Sequence, residues 1–544
     1  MKTQNYFRKL FAYVSLLITL VCHNSLAASG FLHTHGEDIV DEHGEKIMLR
    51  GVGLGNWMLP EGYMWRFGGE GDRPRKIEKI VSDLMGANHA AAFWKEFRAN
   101  YITQADVQRI AQLGFNSVRP ALNARLFLSE GESAVYQDER FELLDNLVRW
   151  CRQSGIYVII DMHAAPGGQT GQNIDDSIND EPGLFSQPVN QDRLVALWVK
   201  IATRYKDDPT VAAYDLLNEP LPERTGAAAK YKDQLVPLYQ RITRAIREVD
   251  QNHMITVEGY DWANNWSVFS KPFDDNLVYQ FHYYCWAKPT HLNGIDQFLE
   301  ARKRLGAPVW VGETGEKDNT IYWATTDYFE ANNIGWSFWP WKKMETENTP
   351  YSINPPKDWH AIMAYSRKAD AKKPSPEVAQ AAFDELLQNI RLTNCVYFPD
   401  VVNALFRRVP GKVEAENYGH KGFGHSYFVK GAEQKAKYYR TSEPVAIEQV
   451  GDADQAIRLG AGEWTAYVVN SLDAKDYSLT VRAKSESAPA VFVISVNGND
   501  QEVTASGKGW VEFKLNPVKL TSGSNQVRLS VKKGALSFDW MTFQ

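Results

Sequence analysis

The chain has 544 residues, with 60 Lys and Arg against 66 Asp and Glu, so that its formal net charge is −6. This length allows three or four small domains, or fewer if one of them is a large barrel. Hydrophobic residues make up 44% of the chain and charged residues 23%, which excludes a largely disordered or fibrous protein. The mildly acidic balance argues against nucleic acid as a partner. Aromatic residues reach 12%, and many tryptophans lie in Gly-, Pro- and Asn-rich segments, so carbohydrate is a candidate ligand.

The first 27 residues have the pattern of a secretory signal peptide. Basic residues precede an apolar stretch at residues 10–21, and a small-residue cleavage site follows at Ser25-Leu26-Ala27. The apolar stretch is too short to cross a bilayer, which takes about 20 apolar residues. We therefore expect a secreted protein, extracellular or periplasmic, that keeps no membrane segment after cleavage.

Strands and helices alternate over the next 300 or so residues. The first strand is predicted at residues 47–52, and a long loop-rich segment follows as far as about residue 101. A helix that opens at Thr103, with Asp106 as its capping partner, leads to a second strand at residues 115–119. Further strands are predicted at residues 156–161, 211–217, 255–258, 277–283, 308–312 and 334–339. Eight short apolar strands in such a series predict an α/β fold, a (β/α)8 TIM barrel, within residues 28–370.

The pattern changes after the barrel. Residues 371–408 contain an amphipathic helix and are predicted to be a helical linker that packs on the outside of the barrel. From residue 409 to residue 544, short alternating strands are separated by Gly, Asn and Ser turns every eight to twelve residues. This spacing predicts a C-terminal antiparallel β-sandwich of the jelly-roll-like kind.

Polar residues stand at the carboxyl ends of six predicted barrel strands, where the loops of such barrels converge and catalytic residues lie. They are Arg119, His163, Asn218 with Glu219, His282 with Tyr284, Glu313 and Trp339. A single polar residue at a strand end often only caps the next helix. Capping does not account for six such ends together.

The two carboxylates in this set suit the cleavage of a glycosidic bond. That reaction needs one carboxylic acid to protonate the leaving oxygen and a second group to meet the positive charge at the anomeric carbon. Glu219 follows the fourth strand and Glu313 the seventh, so both side chains converge across the mouth of a closed barrel. Arg119 is expected to keep Glu313 ionised, while that anion and partial desolvation favour a proton on Glu219. Asn218 is expected to bind a sugar hydroxyl, and Tyr284 to hold the nucleophilic oxygen.

Three segments carry a family resemblance: LLNEP at residues 216–220, WVGETG at residues 310–315 and the His282/Tyr284 pair. They resemble the signature of glycoside hydrolase family 5, over about residues 33–370. The resemblance implies that Glu219 is the acid/base, that Glu313 is the nucleophile and that the anomeric configuration is retained. It further implies supporting or platform roles for Arg119, His163, Asn218, His282, Tyr284 and Trp339.

Two further segments are similar to the exo-β-1,3-glucanase branch of that family: DMHAAPGGQTG at residues 161–171 and GWSFWPWK at residues 335–342. This similarity implies hydrolysis of β-glucan, with a preference for 1,3 linkages. Glu61 falls near a carboxylate that the branch uses against sugar hydroxyls, in a context that departs from the branch pattern. The aromatic residues of the predicted loop are expected to wall one end of a groove: Trp57, Tyr63, Trp65 and Phe67.

The C-terminal segments VEAENY, GEWTAY and FDW resemble family 6 carbohydrate-binding modules. Glu414 and Glu416 are two apart on a strand and share a face, so with Asp539 they suggest a structural Ca²⁺; the alternative is a solvated acidic edge. Trp510 stands where the modules have a stacking aromatic, whereas Arg458 and Ser537 replace residues that are usual in that cleft. Glycan binding and a purely structural or docking role both stay open for this domain.

Two classes of function compete for the whole chain. The first is a secreted, monomeric, retaining hydrolase of β-glucan that needs no catalytic cofactor, and the second is a non-catalytic carbohydrate-binding protein. The presence of both Glu219 and Glu313 favours the enzyme, because a binding protein needs neither. Within the enzyme class, the alternatives are a cellulase (endo-β-1,4-glucanase) or a hydrolase of mannan, xylan or β-1,6-glucan. A metal-dependent hydrolase is disfavoured because the sequence has no HExxH-like ligand set.

Overall fold

The computed structural model describes residues 30–131, 134–285, 292–368, 371–431, 436, 439–451 and 454–544. The predicted signal peptide, residues 1–27, lies outside them. No helix in the described ranges has both the length and the apolar composition that crossing a membrane requires. The larger of the two main hydrophobic cores lies in a barrel and its surrounding helices, and the other lies in a C-terminal domain of strands.

Eight parallel strands close a barrel, which confirms the predicted (β/α)8 architecture. Numbered β1 to β8 in chain order, they are Arg50–Leu54, Ser117–Asn123, Tyr157–Ala164, Val211–Asp215, Met254–Glu258, Leu277–Tyr283, Val309–Gly315 and Gly335–Trp339. Strand β8 pairs in parallel with both β7 and β1, which completes the ring. The strands are almost continuously buried because side chains fill the barrel and helices cover its outside.

Helices follow the strands around the outside of the barrel. The helix Gln104–Leu113 begins after Thr103, which forms the predicted capping box with Asp106, and it ends at Gly114 in the left-handed conformation (φ 98°). The other long outer helices are Asp138–Ser154, Pro188–Tyr205, Leu235–Arg247, Asp296–Leu305 and Asn319–Ala331. Shorter helices lie at Ala124–Phe127, Gly183–Ser186 and Ala227–Tyr231. A hairpin of His33–His35 and Asp38–Val40 precedes the barrel.

The segment after β1 is not the loop that the sequence predicted. It forms two helices, Pro74–Met85 and Ala87–Tyr101, that join at Gly86 and follow short 3-10 turns. Their apolar faces pack into an aromatic cluster in which Trp65 stacks on Phe97, with ring centroids 5.1 Å apart. Three of the four residues expected to wall a groove are buried in the core instead, namely Trp57, Trp65 and Phe67. The apolar residues thus serve helix packing, and Tyr63 is the one of the four that reaches the cavity described below.

The residues between the barrel and the C-terminal domain are packed against the barrel. The helix Pro376–Asn389 starts at its cap, Ser375, and its buried face belongs to the barrel core. It contacts the helices Pro74–Met85 and Ala87–Tyr101. The remaining elements here are the helices Trp359–Arg367 and Pro399–Leu405 and a small sheet of Lys342–Met344, Tyr351–Ile353 and Val396–Tyr397.

The C-terminal domain consists mostly of strands, as predicted. Two long strands, Leu479–Val496 and Gly523–Phe543, pair in the antiparallel direction along their length. The sequence predicted only short strands in this domain, because irregular pairing positions interrupt the alternation of buried and exposed residues in the two long ones. The other strands are Arg408–Val409, Gly411–Glu414, Tyr427–Phe428, Ala446–Val450, Asp454–Gly460, Trp464–Ser471, Lys475–Tyr477, Asn499–Ala505, Val511–Lys514 and Val518–Leu520.

The C-terminal domain is docked on the helix that follows β7, Asn319–Ala331. Trp323 of this helix is only 3% exposed and packs into the core of the C-terminal domain. Glu330 of the same helix accepts an ion pair from Arg407 at 2.6 Å. The strand Arg408–Val409 continues from there into parallel pairing with Trp464–Ser471. The contact is therefore apolar, ionic and backbone-mediated at once.

We expect a chain truncated after residue 408 to melt at a lower temperature than the full-length protein. Truncation exposes Trp323, and burial of a large apolar side chain contributes about 1.5–3 kcal/mol. Calorimetry of the two proteins measures the difference. Full-length Trp323→Ala is the companion variant, which should lose part of the same stability. A barrel transition at the same temperature in all three proteins would contradict the expected coupling.

Candidate active site

The strand-end residues converge on one cavity at the carboxyl end of the barrel. The cavity has a volume of about 590 Å³. The predicted site residues that line it are Glu61, His163, Glu219, His282, Tyr284, Glu313 and Trp339, and Tyr63, Asn173, Trp262, Asn264 and Glu316 lie beside them. Arg119 and Asn218 are fully buried and contact these residues from below. The structure therefore brings all nine predicted barrel residues together.

Arg119, at the middle of β2, is the central cation of the site. Its guanidinium donates to Glu313 at 2.6 Å, to Asp215 at 2.8 Å and to Asn218 at 2.8 Å. Two more carboxylates, Asp161 and Glu258, lie 3.2 and 3.3 Å from it. A fully buried arginine needs such partners, because an unpaired buried charge is costly.

Glu313 is held on both of its oxygens, as the sequence predicted. Arg119 donates to Oε1, and the hydroxyl of Tyr284 donates to Oε2 at 2.7 Å. The imidazoles of His282 and His163 lie 3.6 and 3.9 Å away. The carboxylate is thereby fixed in orientation, with its oxygens at the cavity surface.

Glu219 leaves β4 in a strained backbone conformation. Its φ is 43°, in the left-handed region that non-glycine residues rarely adopt. Its backbone N–H donates to Glu258 at 2.6 Å, and its carboxylate lies 2.6 Å from Nδ1 of His282. Carboxylate oxygens of Glu219 and Glu313 lie within 4.8 Å of each other and of a His282 nitrogen. Two carboxylates thus face each other across the cavity.

The ionisation of the two carboxylates differs from the sequence-based expectation. Burial alone would raise the pKa of Glu219, but the charge and hydrogen bond of His282 outweigh it and lower that pKa. Burial, reinforced by the negative charge of Glu219, raises the pKa of Glu313. Burial lowers the pKa of His282, but the carboxylates around it raise that pKa well above its usual value. These opposite shifts favour the proton on His282, whose Nδ1 lies 2.6 Å from Glu219, rather than on Glu219 as the sequence analysis expected.

His163 and Trp339 form a stacked pair. Their ring centroids are 5.1 Å apart and their planes are 4° from parallel. Nδ1 of His163 lies 2.7 Å from Asp161, and burial lowers the pKa of His163 to about 4, so the imidazole is neutral. The Trp339 ring also lies against Gly53 of β1, where an added Cβ would stand 2.2 Å from the indole. Only glycine at that position lets the ring lie flat as a platform.

Glu61 lies in the cavity wall and is 2% exposed. Burial first, and the nearby carboxylates Glu313 and Glu316 second, raise its pKa well above its usual value. Its Oε1 has no hydrogen-bond partner within the described part of the protein. Beside it, the hydroxyl of Tyr63 accepts a bond from Nε1 of Trp339 at 2.9 Å. This part of the wall offers polar atoms to a bound molecule.

Sequence reasoning missed the acidic layer beneath the cavity. Asp161, Asp215 and Glu258 are fully buried around Arg119, and Gln280 donates to Asp215 at 3.0 Å. Burial, opposed by Arg119, raises the pKa of Asp161 and of Asp215 to about 7. A carboxylate within or at the end of an apolar strand was the available signal: Asp161 lies inside its strand, and Asp215 and Glu258 end theirs.

A second acidic cluster lies in the C-terminal domain. Ligand oxygens of Glu414, Asp454 and Asp539 lie within 4.8 Å of one another. Glu416, the third ligand that the sequence predicted, is buried nearby but does not belong to this group, and Asp454 takes its place. One oxygen each of Glu414, Glu416 and Asp539 is buried without a hydrogen-bond partner. Glu414 pairs with Lys412 at 2.6 Å and Asp539 with Arg482, and the oxygens that have no partner fit a hard cation such as Ca²⁺.

Trp510 is half-buried at the edge of the C-terminal sheet. The charged groups of Arg482 and Lys484 each lie 5.1 Å from its ring centroid. Ser537 donates to Glu486 at 2.8 Å, and Arg458 is its neighbour on the adjacent strand. The surroundings of the ring are therefore charged rather than aromatic.

A closed (β/α)8 barrel with two carboxylates facing each other at its mouth is the arrangement of glycoside hydrolases. Residues 78–345 match the family model described as Cellulase (glycosyl hydrolase family 5). The barrel domain is therefore similar to glycosyl hydrolase family 5 over residues 78–345, and glycosidases of that family act without a cofactor.

Curated relatives share this domain at modest identity. A β-xylosidase from Phanerodontia chrysosporium is 28% identical over 59% of this chain and 74% of its own length. A probable glucan 1,3-β-glucosidase A from Aspergillus fumigatus is 29% identical over 44% of this chain and 56% of its own length. Endoglucanase C from Acetivibrio thermocellus is 29% identical over 47% of this chain and 88% of its own length.

Solved structures with a similar trace have lower identity. The crystal structure of endogalactoceramidase aligns with a TM-score of 0.48 and 16% identity, over 92% of this chain and 99% of that one. A β-glucanase from Saccharophagus degradans in complex with cellotetraose aligns with a TM-score of 0.42 and 18% identity, over 68% of this chain and 96% of that one.

Proposed function

We propose that the protein is a secreted, retaining β-glucanase that cleaves β-glucosidic bonds by double displacement. The observation that carries the proposal is the approach of Glu219 and Glu313 to within 4.8 Å. Retaining enzymes hold their two carboxyl groups about 5–5.5 Å apart, whereas inverting enzymes separate them further to admit a water. Secretion rests on the N-terminal sequence pattern.

In the first displacement, Glu313 attacks the anomeric carbon and forms a glycosyl-enzyme ester. Arg119 and Tyr284 orient its oxygens and spread its negative charge until the attack. As the glycosidic bond breaks, the proton of His282 passes across the 2.6 Å contact to Glu219, which delivers it to the leaving oxygen and is left as a carboxylate. In the second displacement, Glu219 removes a proton from the incoming water, the water oxygen bonds to the anomeric carbon, and the ester bond to Glu313 breaks.

The cavity walls favour a glucan as substrate. Trp339 offers a flat apolar surface to the C–H face of a sugar, and Glu61 offers an unpartnered oxygen to its hydroxyls. The resemblance of residues 161–171 to the exo-β-1,3-glucanase branch and the similarity to a glucan 1,3-β-glucosidase support 1,3-linked glucan. The similarity to an endoglucanase supports an endo-β-1,4-glucanase as the second candidate.

Product analysis on laminarin and carboxymethylcellulose tests the substrate. We expect glucose to accumulate from laminarin at early times, because an enzyme whose pocket receives a chain end releases single sugars from that end. A rapid fall in the viscosity of carboxymethylcellulose, with no glucose from laminarin, would favour the endoglucanase. Assays on xylan, mannan and β-1,6-glucan complete the comparison, and activity confined to one of them would contradict the proposal.

Retention of configuration is a separate prediction. The first sugar released should be the β-anomer, because water attacks the glycosyl-enzyme from the face that the leaving group occupied. Proton NMR during the first minutes of hydrolysis, before mutarotation, distinguishes the anomers. An initial α-anomer would exclude double displacement between Glu219 and Glu313.

Calcium in the C-terminal domain is the remaining prediction about ligands. Glu414, Asp454 and Asp539 would hold the ion and stabilise the sheet around it. Ca²⁺ at 100 times its dissociation constant should add about 2.7 kcal/mol to the free energy of unfolding. Thermal unfolding in Ca²⁺ and in EDTA measures this gain in stability, and Asp539→Asn should abolish the difference between the two conditions. The control Glu448→Gln, on an exposed carboxylate of the same domain, should keep it.

A further inference from the structure

We propose that Glu258 is a positioning residue that fixes the backbone of the acid/base Glu219 and the ring of His282. The inference rests on the proposed function, because it assigns a task relative to that acid/base. Glu258 is the last residue of β5 and is fully buried below the cavity. It does not line the cavity, so it acts on bound sugar only through its neighbours.

The carboxylate of Glu258 joins three neighbouring parts of the barrel. Its Oε2 accepts the backbone N–H of Glu219 at 2.6 Å, at the end of β4. Its Oε1 lies 3.3 Å from Nε2 of His282 on β6 and 3.3 Å from the guanidinium of Arg119 on β2. Gln280 of β6 also donates to Oε1. One side chain thus contacts the acid/base backbone, the proton donor and the central cation.

The hydrogen bond from the backbone N–H of Glu219 to Glu258 stabilises a strained backbone conformation at Glu219. A non-glycine residue with a positive φ, such as Glu219, is strained, and such strain persists only where neighbours hold it. The carboxylate of Glu258 fixes the amide of Glu219 from the adjacent strand end. This contact keeps the side chain of Glu219 directed into the cavity.

The contact with His282 places a carboxylate at each ring nitrogen. Glu219 lies at Nδ1 and Glu258 at Nε2, with Glu313 3.6 Å from Nδ1. Glu258 is in contact with the charged groups of Arg119 and His282. It also interacts electrostatically with Asp161 and Asp215 of the same acidic layer. An imidazolium between carboxylates is a proton source for the leaving oxygen. The charge of Glu258 helps to keep that proton on the His282–Glu219 pair.

Glu258→Gln tests the inference, because glutamine keeps the size and an acceptor oxygen but removes the charge. We expect kcat to fall by about 10- to 100-fold on substrates with poor leaving groups, with little change in KM. Aryl glycosides with good leaving groups need no proton and should lose much less. The alkaline limb of the kcat/KM profile should shift to lower pH by about one unit, because the shared proton is then held less tightly.

Asp215→Asn is the matched comparison. Asp215 is equally buried and bonds to Arg119 and Gln280, but within the described part of the chain it forms no hydrogen bond or ion pair with Glu219 or His282. We expect it to slow substrates with good and poor leaving groups by similar factors. Melting curves identify any variant that fails to fold, and Glu258→Asp, which restores the charge, should recover part of the alkaline limb.

Failure of the inference is distinct from failure of the proposed function. If Glu219→Ala discriminates strongly between good and poor leaving groups and Glu258→Gln does not, Glu258 has only a structural role. If neither variant discriminates, Glu219 is not the acid/base and the proposed function is wrong. An unchanged alkaline limb in Glu258→Gln would also overturn the inference.

Discussion

Glu313→Ala is expected to abolish turnover on every substrate, whereas Glu219→Ala is expected to keep activity on aryl glycosides with good leaving groups. Arg119 binds one oxygen of Glu313 and Tyr284 binds the other. Glu313→Ala removes this oriented carboxylate, and with it the group that attacks the anomeric carbon. Without Glu219 only the proton transfer is lost, a step worth about 10²- to 10⁴-fold for a poor leaving group. Steady-state rates on polysaccharide and on activated aryl glycoside separate the two effects.

Azide sharpens the same test. The small anion enters the space left in Glu219→Ala, attacks the glycosyl-enzyme in place of activated water and should yield a β-glycosyl azide. Azide should not restore turnover of the same substrates to a β-glycosyl azide in Glu313→Ala. Glu345→Ala, an exposed carboxylate that does not line the cavity, is the control for a mutated acidic residue. Near wild-type turnover in Glu313→Ala would contradict the assignment.

The sequence could predict the barrel and the strand-end residues because both depend on local patterns. Apolar runs of strand length alternate with helices, and residues that end parallel strands necessarily meet at one edge. Arg119, Glu219 and Glu313 could therefore be assigned to one site without coordinates. The two helices Pro74–Met85 and Ala87–Tyr101 were missed, because Gly86 divides their pattern and the aromatic residues just before them suggested the wall of a groove.

Ionisation could not be predicted in the same way, since it depends on distances between side chains from different strands. The expected proton on Glu219 followed from the nearby anion of Glu313 and from partial desolvation. The structure adds His282 at 2.6 Å, and this cation reverses the order of the two pKa values. Glu258 was missed for a related reason: a carboxylate whose work is to hold another residue has no sequence motif of its own.

Arg119→Met is expected to have the largest effect on stability. The substitution keeps much of the apolar stem but leaves Asp161, Asp215, Glu258 and Glu313 around a site with no guanidinium. Removal of one partner from a buried ionic network costs about 3–5 kcal/mol, because the remaining charges are uncompensated. Urea unfolding of the variant and of the wild type measures this loss, and turnover should fall as Glu313 loses its orienting bond.

The loss should also depend on pH, with a sign that follows from the raised carboxyl pKa values. Asp161 and Asp215 have a pKa of about 7 in the folded protein, against a usual value near 3.8. Between these values the folded chain binds more protons than the unfolded chain, so the stability that these groups contribute is complete below about pH 4 and is lost as the pH rises through 7. In Arg119→Met the guanidinium no longer offsets the charges formed above pH 7, while protonation at pH 5 removes part of the repulsion. The destabilisation relative to wild type should therefore be smaller at pH 5 than at pH 8.

Arg98→Met provides the matched control for a buried arginine. Arg98 is 9% exposed and lies 3.6 Å from Glu78, which also pairs with Arg125 at 2.9 Å. Its removal therefore leaves Glu78 with a cation, and the loss of stability should be smaller and nearly constant from pH 5 to pH 8. Equal losses and equal pH dependence in the two variants would mean that the acidic layer beneath the cavity does not depend on Arg119. A steeper pH dependence of the stability loss in Arg119→Met alone would support the expected role of Arg119. The same buried cation would then stabilise the mouth of the barrel and the charge of the nucleophile.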